Sequence, residues 1–222
     1  MKINALGFKA PATYITLIAA VTLTIAAGGR VTAQQSGCSG WTSTADLDGG
    51  TVINQTVCGD IHVQGKIDGG SNVTLTSTSG SITIDGKIDG GSTTRLKAAG
   101  DIRIGVVGGD GDKKIDGGSF VTAVSGGTIS LGNKIDGCPG PLWVGSCTQV
   151  FLRATNGIDI GNKIDGGVHV ALCTSNGAIH IHDKIDNGST VVNYWPGGSL
   201  QVDGGQRGGS QVNASQQAAC QF

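Results

Sequence analysis

Lysine and aspartate recur along this chain two residues apart, on either side of an isoleucine: Lys66-Ile67-Asp68, Lys87-Ile88-Asp89, Lys114-Ile115-Asp116, Lys134-Ile135-Asp136, Lys163-Ile164-Asp165 and Lys184-Ile185-Asp186. On an extended backbone, residues two apart point the same way, so each copy aims an ammonium and a carboxylate outward and an isoleucine inward. Stacked copies would set a lysine column beside an aspartate column. As a charged lattice, such a face matches a repeating ligand: an acidic polysaccharide, a cell-wall polymer or a mineral. As a catalytic groove, it offers paired carboxylates as acid and base, or a lysine as the base of a lyase. At a column spacing of about 4.8 Å, two like neighbours cost an interior lysine ~1.7 kcal/mol in water, and nearby aspartates return ~1.6 kcal/mol. The lattice is thus self-compensating, which also describes a plain solvated charge ladder.

Two stretches break the rhythm and select the middle copies. Val106 to Lys113 carries extra residues before the third tripeptide, and Cys138 to Cys147 carries them after the fourth. These loops are expected to flank a shallow groove holding Lys114, Asp116, Lys134 and Asp136, with Asp110, Asp112 and Trp143 on the loops themselves. Loops on a rigid scaffold are where function concentrates. Trp143 could stack on a sugar ring; as an exposed aromatic it is rather expected to cover Phe120 and Phe151. Gly108-Gly109-Asp110-Gly111-Asp112 approaches a calcium-binding nonapeptide, but it is a single copy and Lys113-Lys114 suit a cation badly. His180-Ile181-His182 places two imidazoles outward, with Asp159 one coil below His180 and Asp183 adjacent. A paired surface histidine is the expectation there, and no metal or cofactor is assigned.

The elements that must position these groups follow from the period. Successive lysines lie 21, 27, 20, 29 and 21 residues apart, and Asp48-Gly49-Gly50 reads as a decayed first copy. Self-similarity at such a period marks a solenoid. Within one copy, Val73 and Leu75, then Ile82 and Ile84, alternate with polar residues as half-buried strands do. Ile102 and Ile104, Ile129 and Leu131, Ile158 and Ile160, and Ile179 and Ile181 repeat the last pair. Forty glycines supply corners and leave no run for a helix. The prediction is an all-β, right-handed parallel β-helix of about seven three-strand coils of roughly 20 residues, disulfide-stapled.

The domain organisation is expected to run from a signal peptide (1–33) through an N-terminal cap segment (34–45) and the β-solenoid (46–205) to a Gly/Ser/Gln-rich tail (206–222). The leader has Lys2 and Lys9 before an apolar run, Tyr14 to Ala27, too short for a comfortable membrane span. The full chain has 15 basic and 16 acidic residues, and losing Lys2, Lys9 and Arg30 leaves it more acidic. A modestly acidic chain with no basic cluster is a poor nucleic-acid binder. Six cysteines behind a leader imply disulfides in an oxidising compartment. Chain order favours Cys38–Cys58, Cys138–Cys147 and Cys173–Cys220. Zinc would want Cys-x-x-Cys spacing, which is absent.

The Gly-x-Ile-x-Ile and Lys-Ile-Asp-Gly-Gly units, over residues 46–205, resemble secreted bacterial β-helix repeat proteins of the adhesin-like kind. That resemblance implies a surface or matrix role more than catalysis. Arg95-Leu96-Lys97 is similar to the Arg-x-Lys pattern of polygalacturonases, but the paired aspartates and His-Gly step are missing, so no catalytic residue is carried over. Bactofilins have similar coils without leader or disulfides. The reading is a secreted or cell-surface, non-enzymatic adhesin or matrix protein that binds a polysaccharide or cell-surface polymer. After leader removal no membrane contact is expected, and end-to-end self-association is expected from an unpaired final coil. The alternative is a carbohydrate-active enzyme, a polysaccharide lyase or glycoside hydrolase, in the groove between 106–113 and 138–147. Ice binding would want a threonine ladder, and the outward column Thr74, Arg95, Thr122, Phe151, Ala171, Val192 is not one.

Overall fold

A computed structural model describes residues 31–34, 38–106, 114–137, 147–194 and 199–215. Among them there is no helix, and every strand pairing is parallel, as expected of a parallel β-solenoid. Strands are numbered in chain order. A nine-stranded sheet contains β1 (Val31–Gln34), β3 (Val52–Val57), β5 (Asn72–Ser77), β7 (Thr93–Ala98), β9 (Phe120–Ser125), β11 (Gln149–Ala154), β13 (His169–Thr174), β15 (Thr190–Tyr194) and β17 (Gln211–Ser215). An eight-stranded sheet contains β2 (Trp41–Ser43), β4 (Ile61–Val63), β6 (Ile82–Ile84), β8 (Ile102–Ile104), β10 (Thr128–Leu131), β12 (Gly157–Ile160), β14 (Ile179–Ile181) and β16 (Leu200–Val202).

The third side departs from the expected strand. The Lys-Ile-Asp copies pair through single bridges, Leu47↔Ile67↔Ile88↔Ile115↔Ile135↔Ile164↔Ile185↔Gln206. The tripeptide is cut short from both ends. The Lys66 amide donates to Asp46 Oδ1 at 3.0 Å, which holds the preceding corner. After Asp68 the chain turns at once, with Gly69 and Gly70 at φ 62° and 72° and the Ser71 amide donating to the Asp68 carbonyl at 3.3 Å. Two successive positive φ values make a type I′ turn, which suits glycine and few other residues. The isoleucine alone makes a ladder bridge, with the Ile67 amide donating to the Lys87 carbonyl and the Asp68 amide to the Leu47 carbonyl, both at 2.9 Å.

Inward residues form continuous columns. Ile67, Ile88, Ile135, Ile164 and Ile185 have no exposed surface, and Ile115 is 1% exposed. Ile82 and Ile84, Ile102 and Ile104, Ile129 and Leu131, Ile158 and Ile160, and Ile179 and Ile181 fill the eight-stranded sheet's inner face, as the alternation predicts. In the other sheet, Leu75, Leu96, Ala123, Leu152 and Leu172 stack between buried Gln55 and Asn193. Burying such side chains stabilises each coil by about 1.5–3 kcal/mol per large aliphatic residue.

The register places the predicted outward column as written, Thr74↔Arg95↔Thr122↔Phe151↔Ala171↔Val192. Phe120 and Phe151 lie outward, 5.4 Å apart. Stacking also includes β1, which spans the boundary between the segments read as leader and cap, and β17, within the segment read as tail. Cys38 and Cys58 are disulfide-bonded. Cys147 and Cys173 each also take part in a disulfide; their expected partners, Cys138 and Cys220, lie outside the described residues.

Candidate functional site

Each aspartate of the repeat column is engaged twice. Its Oδ1 accepts the next backbone amide, Gly69, Gly90, Gly117, Gly137, Gly166 or Asn187, at 2.6–2.8 Å. Its Oδ2 meets the lysine two residues back. The separations are 2.9 Å in Lys66–Asp68, 2.7 Å in Lys87–Asp89, and 2.5 Å in Lys114–Asp116, Lys134–Asp136 and Lys184–Asp186. Lys163 and Asp165 make the same pair. The expected columns of separate charges are therefore a stack of closed ion pairs. The amide pins Oδ1, leaving Oδ2 turned toward a flexible lysine, which folds onto it.

The pairing shows in the ionisation of several groups. A hydrogen bond to Asp68, then that residue's charge, raises the Lys66 ammonium above its usual range. Lys66 in turn lowers Asp68, with the Gly69 amide helping against burial. Asp165 is lowered as well. Burial is its strongest influence and pushes upward, but Lys163, the Gly166 amide and Asn187 together outweigh it.

The glycine after each aspartate faces a second constraint, from the coil beside it. A Cβ on Gly90 would overlap Asp68 Oδ1 and lie 2.6 Å from the Gly69 nitrogen; Gly117 faces Asp89 in the same way. Gly91, one residue on, has nothing within 4 Å and needs glycine for its φ of 71° alone. Asn187 occupies the crowded position in its own coil at φ 51°. It fits by donating its side-chain amide to Asp165 Oδ1.

Of the predicted groove residues, Lys114, Asp116, Lys134 and Asp136 are brought together across the Ile115↔Ile135 bridge. Asp110, Asp112 and Trp143 lie outside the described residues. Thr148 stands where other coils have serine. Its amide donates to the Gly137 carbonyl at 2.9 Å, and its hydroxyl accepts the Gly118 amide at 3.1 Å. Gly137 and Thr148 are thus joined directly at the position of the Gly-Gly-Ser turn. All four groove residues are already committed to one another, and both carboxylates have each oxygen engaged.

The outer face of the eight-stranded sheet carries different chemistry. Its outward positions run Thr42, His62, Thr83, Arg103, Ser130, Asp159, His180, Gln201. At one end, His62 Nε2 lies 2.8 Å from Asp85 Oδ2, in an open hollow of about 380 Å³ also lined by Asp60, Ile61, Ser81, Thr83 and Arg103. At the other end, His182 Nε2 lies 2.8 Å from Asp159 Oδ1, and His180 Nε2 lies 3.0 Å from both Asp203 oxygens. The imidazoles are 3.8 Å apart, centre to centre. Gln201, then His180, lowers Asp203.

Sequence reasoning found His180, His182 and Asp159 but passed over Asp203. The signal was available: Gln201 is the register partner of His180, so a residue two further on projects beside it. Family models, curated proteins and solved structures were all compared with the chain, and none matches it.

Proposed function

We propose that the protein is a secreted, non-enzymatic β-solenoid, a surface adhesin or matrix element that binds a repetitive polymer along its Lys–Asp column. The winding is taken as right-handed, the hand that parallel crossovers adopt, with about seven coils. The observation that carries the reading is the identity of the six corners: each presents one ion pair, with its lysine 18–34% exposed. Individually such a contact is weak, but a row engaged by one polymer gains from effective concentration.

Pairing also narrows the ligand. A polyanion would have to draw each lysine from its own aspartate, whereas a hydroxyl can donate to the carboxylate and accept from the ammonium without breaking the pair. A neutral, hydroxyl-rich polysaccharide or cell-wall polymer fits best. The pairing weighs against Asp116 and Asp136 as a free acid and base, because both oxygens of each are held. Co-sedimentation of the secreted chain with insoluble polysaccharides and cell walls tests this, with each supernatant assayed for released sugar. The expected result is binding that is little changed by salt, without sugar release. Release of reducing ends or unsaturated products would replace the reading with an enzyme, and absence of binding to every polymer would leave a self-assembling coat.

A further inference from the structure

We infer that Asp159, His180, His182 and Asp203 form a binding site for a divalent transition-metal ion of the zinc class, on the outer face of the eight-stranded sheet. Ligand atoms of Asp159, His180 and His182 all lie within 4.8 Å of one another. Asp203 reaches His180 Nε2 at 3.0 Å and His182 Nδ1 at 3.8 Å. Two imidazoles and two carboxylates are borderline donors suited to zinc. Around a tetrahedral zinc, with bonds of ~2.0–2.1 Å, donor atoms sit about 3.4 Å apart. Small side-chain rotations achieve that, since all four groups are partly exposed.

The fold supplies the preorganisation. His180 and His182 flank fully buried Ile181, so a strand geometry aims both rings outward. Asp159 is the register partner of His180 on β12, and Asp203 directly follows β16. Charge points the same way. Among the described residues, the ion pairs of Asp159 and Asp203 are made with imidazoles alone, not with lysine or arginine. With neutral imidazoles the set carries two negative charges, which a divalent ion neutralises. The single His62–Asp85 pair at the other end lacks a second imidazole. Because the donors come from three successive coils, the ion would staple β12, β14 and β16 together.

Titration of the full secreted chain with zinc chloride, followed by calorimetry and by thermal unfolding, tests the site. Saturable uptake and a raised Tm are expected. His180→Ala and His182→Ala should each weaken binding at least about tenfold and remove the Tm shift, with Asp203→Asn weakening it less. His62→Ala is the control and should bind like the parent. Circular dichroism verifies that each variant is folded. No saturable uptake by the parent, or full uptake by the His180→Ala/His182→Ala double variant, would overturn the assignment.

Discussion

The repeat column and the outer face of the eight-stranded sheet both set aspartates beside cationic or ionisable groups, yet they use them in opposite ways. In the column every coil repeats one arrangement, and each aspartate has both oxygens engaged within its own tripeptide and turn, with Asn187 adding one contact from the next coil to Asp165. On the sheet each coil differs, and His182 and His180 reach aspartates of neighbouring coils. Repetition therefore yields corners closed upon themselves, which hold the chain's path. Variation leaves side chains whose partners lie across strands, where a ligand can take their place. Substitutions of the column's isoleucines and turn glycines should disturb folding, and those of the sheet's outward imidazoles should disturb metal binding and little else.

The largest expected effect is at the centre of the column. Ile115→Asp would bury an unpaired carboxylate, costing several kcal/mol, and should abolish recovery of folded protein. Normal yield with an unchanged far-ultraviolet spectrum would disprove the inward column.

Next come the glycines. Gly90→Ala should lose about 2–3 kcal/mol in denaturant unfolding, from left-handed strain plus overlap with Asp68. Gly91→Ala should lose about 1 kcal/mol, from strain alone. Gly90→Asn should recover part of the loss by copying Asn187. Equal costs for the two alanines would mean that stacking on the carboxylate does not matter.

Acid should act through the column. Asp68, Asp165 and Asp186 are all lowered, so their stabilisation is complete above the unfolded carboxylate value of about 3.9 and is lost as pH falls through the lower folded values. Raised Lys66 and Lys163 stabilise fully below about pH 10.4 and lose that contribution as pH rises through their folded values. Unfolding free energy measured against pH should therefore be flat between these limits and fall outside them. A maximum confined to a narrow pH range would mean that groups outside the column set the dependence. The smallest effect belongs to the sheet: His62→Ala, on a half-buried pair, should change stability by no more than about 1 kcal/mol.

Much was legible in the residues. Alternating Ile, Val and Leu identified the inward columns, and the period set the register that pairs Thr74 with Arg95 and Phe151 with Ala171. The candidate site was legible only in part. Lys114, Asp116, Lys134 and Asp136 were placed together, but as free columns, because spacing gives backbone direction and not side-chain rotamer. Asp203 escaped notice because its partner is set by the cross-coil register, with no local pattern joining it to His180.

By itself, the sequence determined which residues face inward, where the chain turns and which copies stack. Those properties depend on side-chain type and glycine conformation, which are local. Tertiary structure alone decided that the third side is a ladder of single bridges, and that each lysine closes on its own aspartate. It also decided that Gly90, Gly117 and Gly137 lie against the aspartate carboxylate of the neighbouring coil. All three depend on how close one coil comes to the next, a distance of about 4.8 Å that no single copy of the repeat contains.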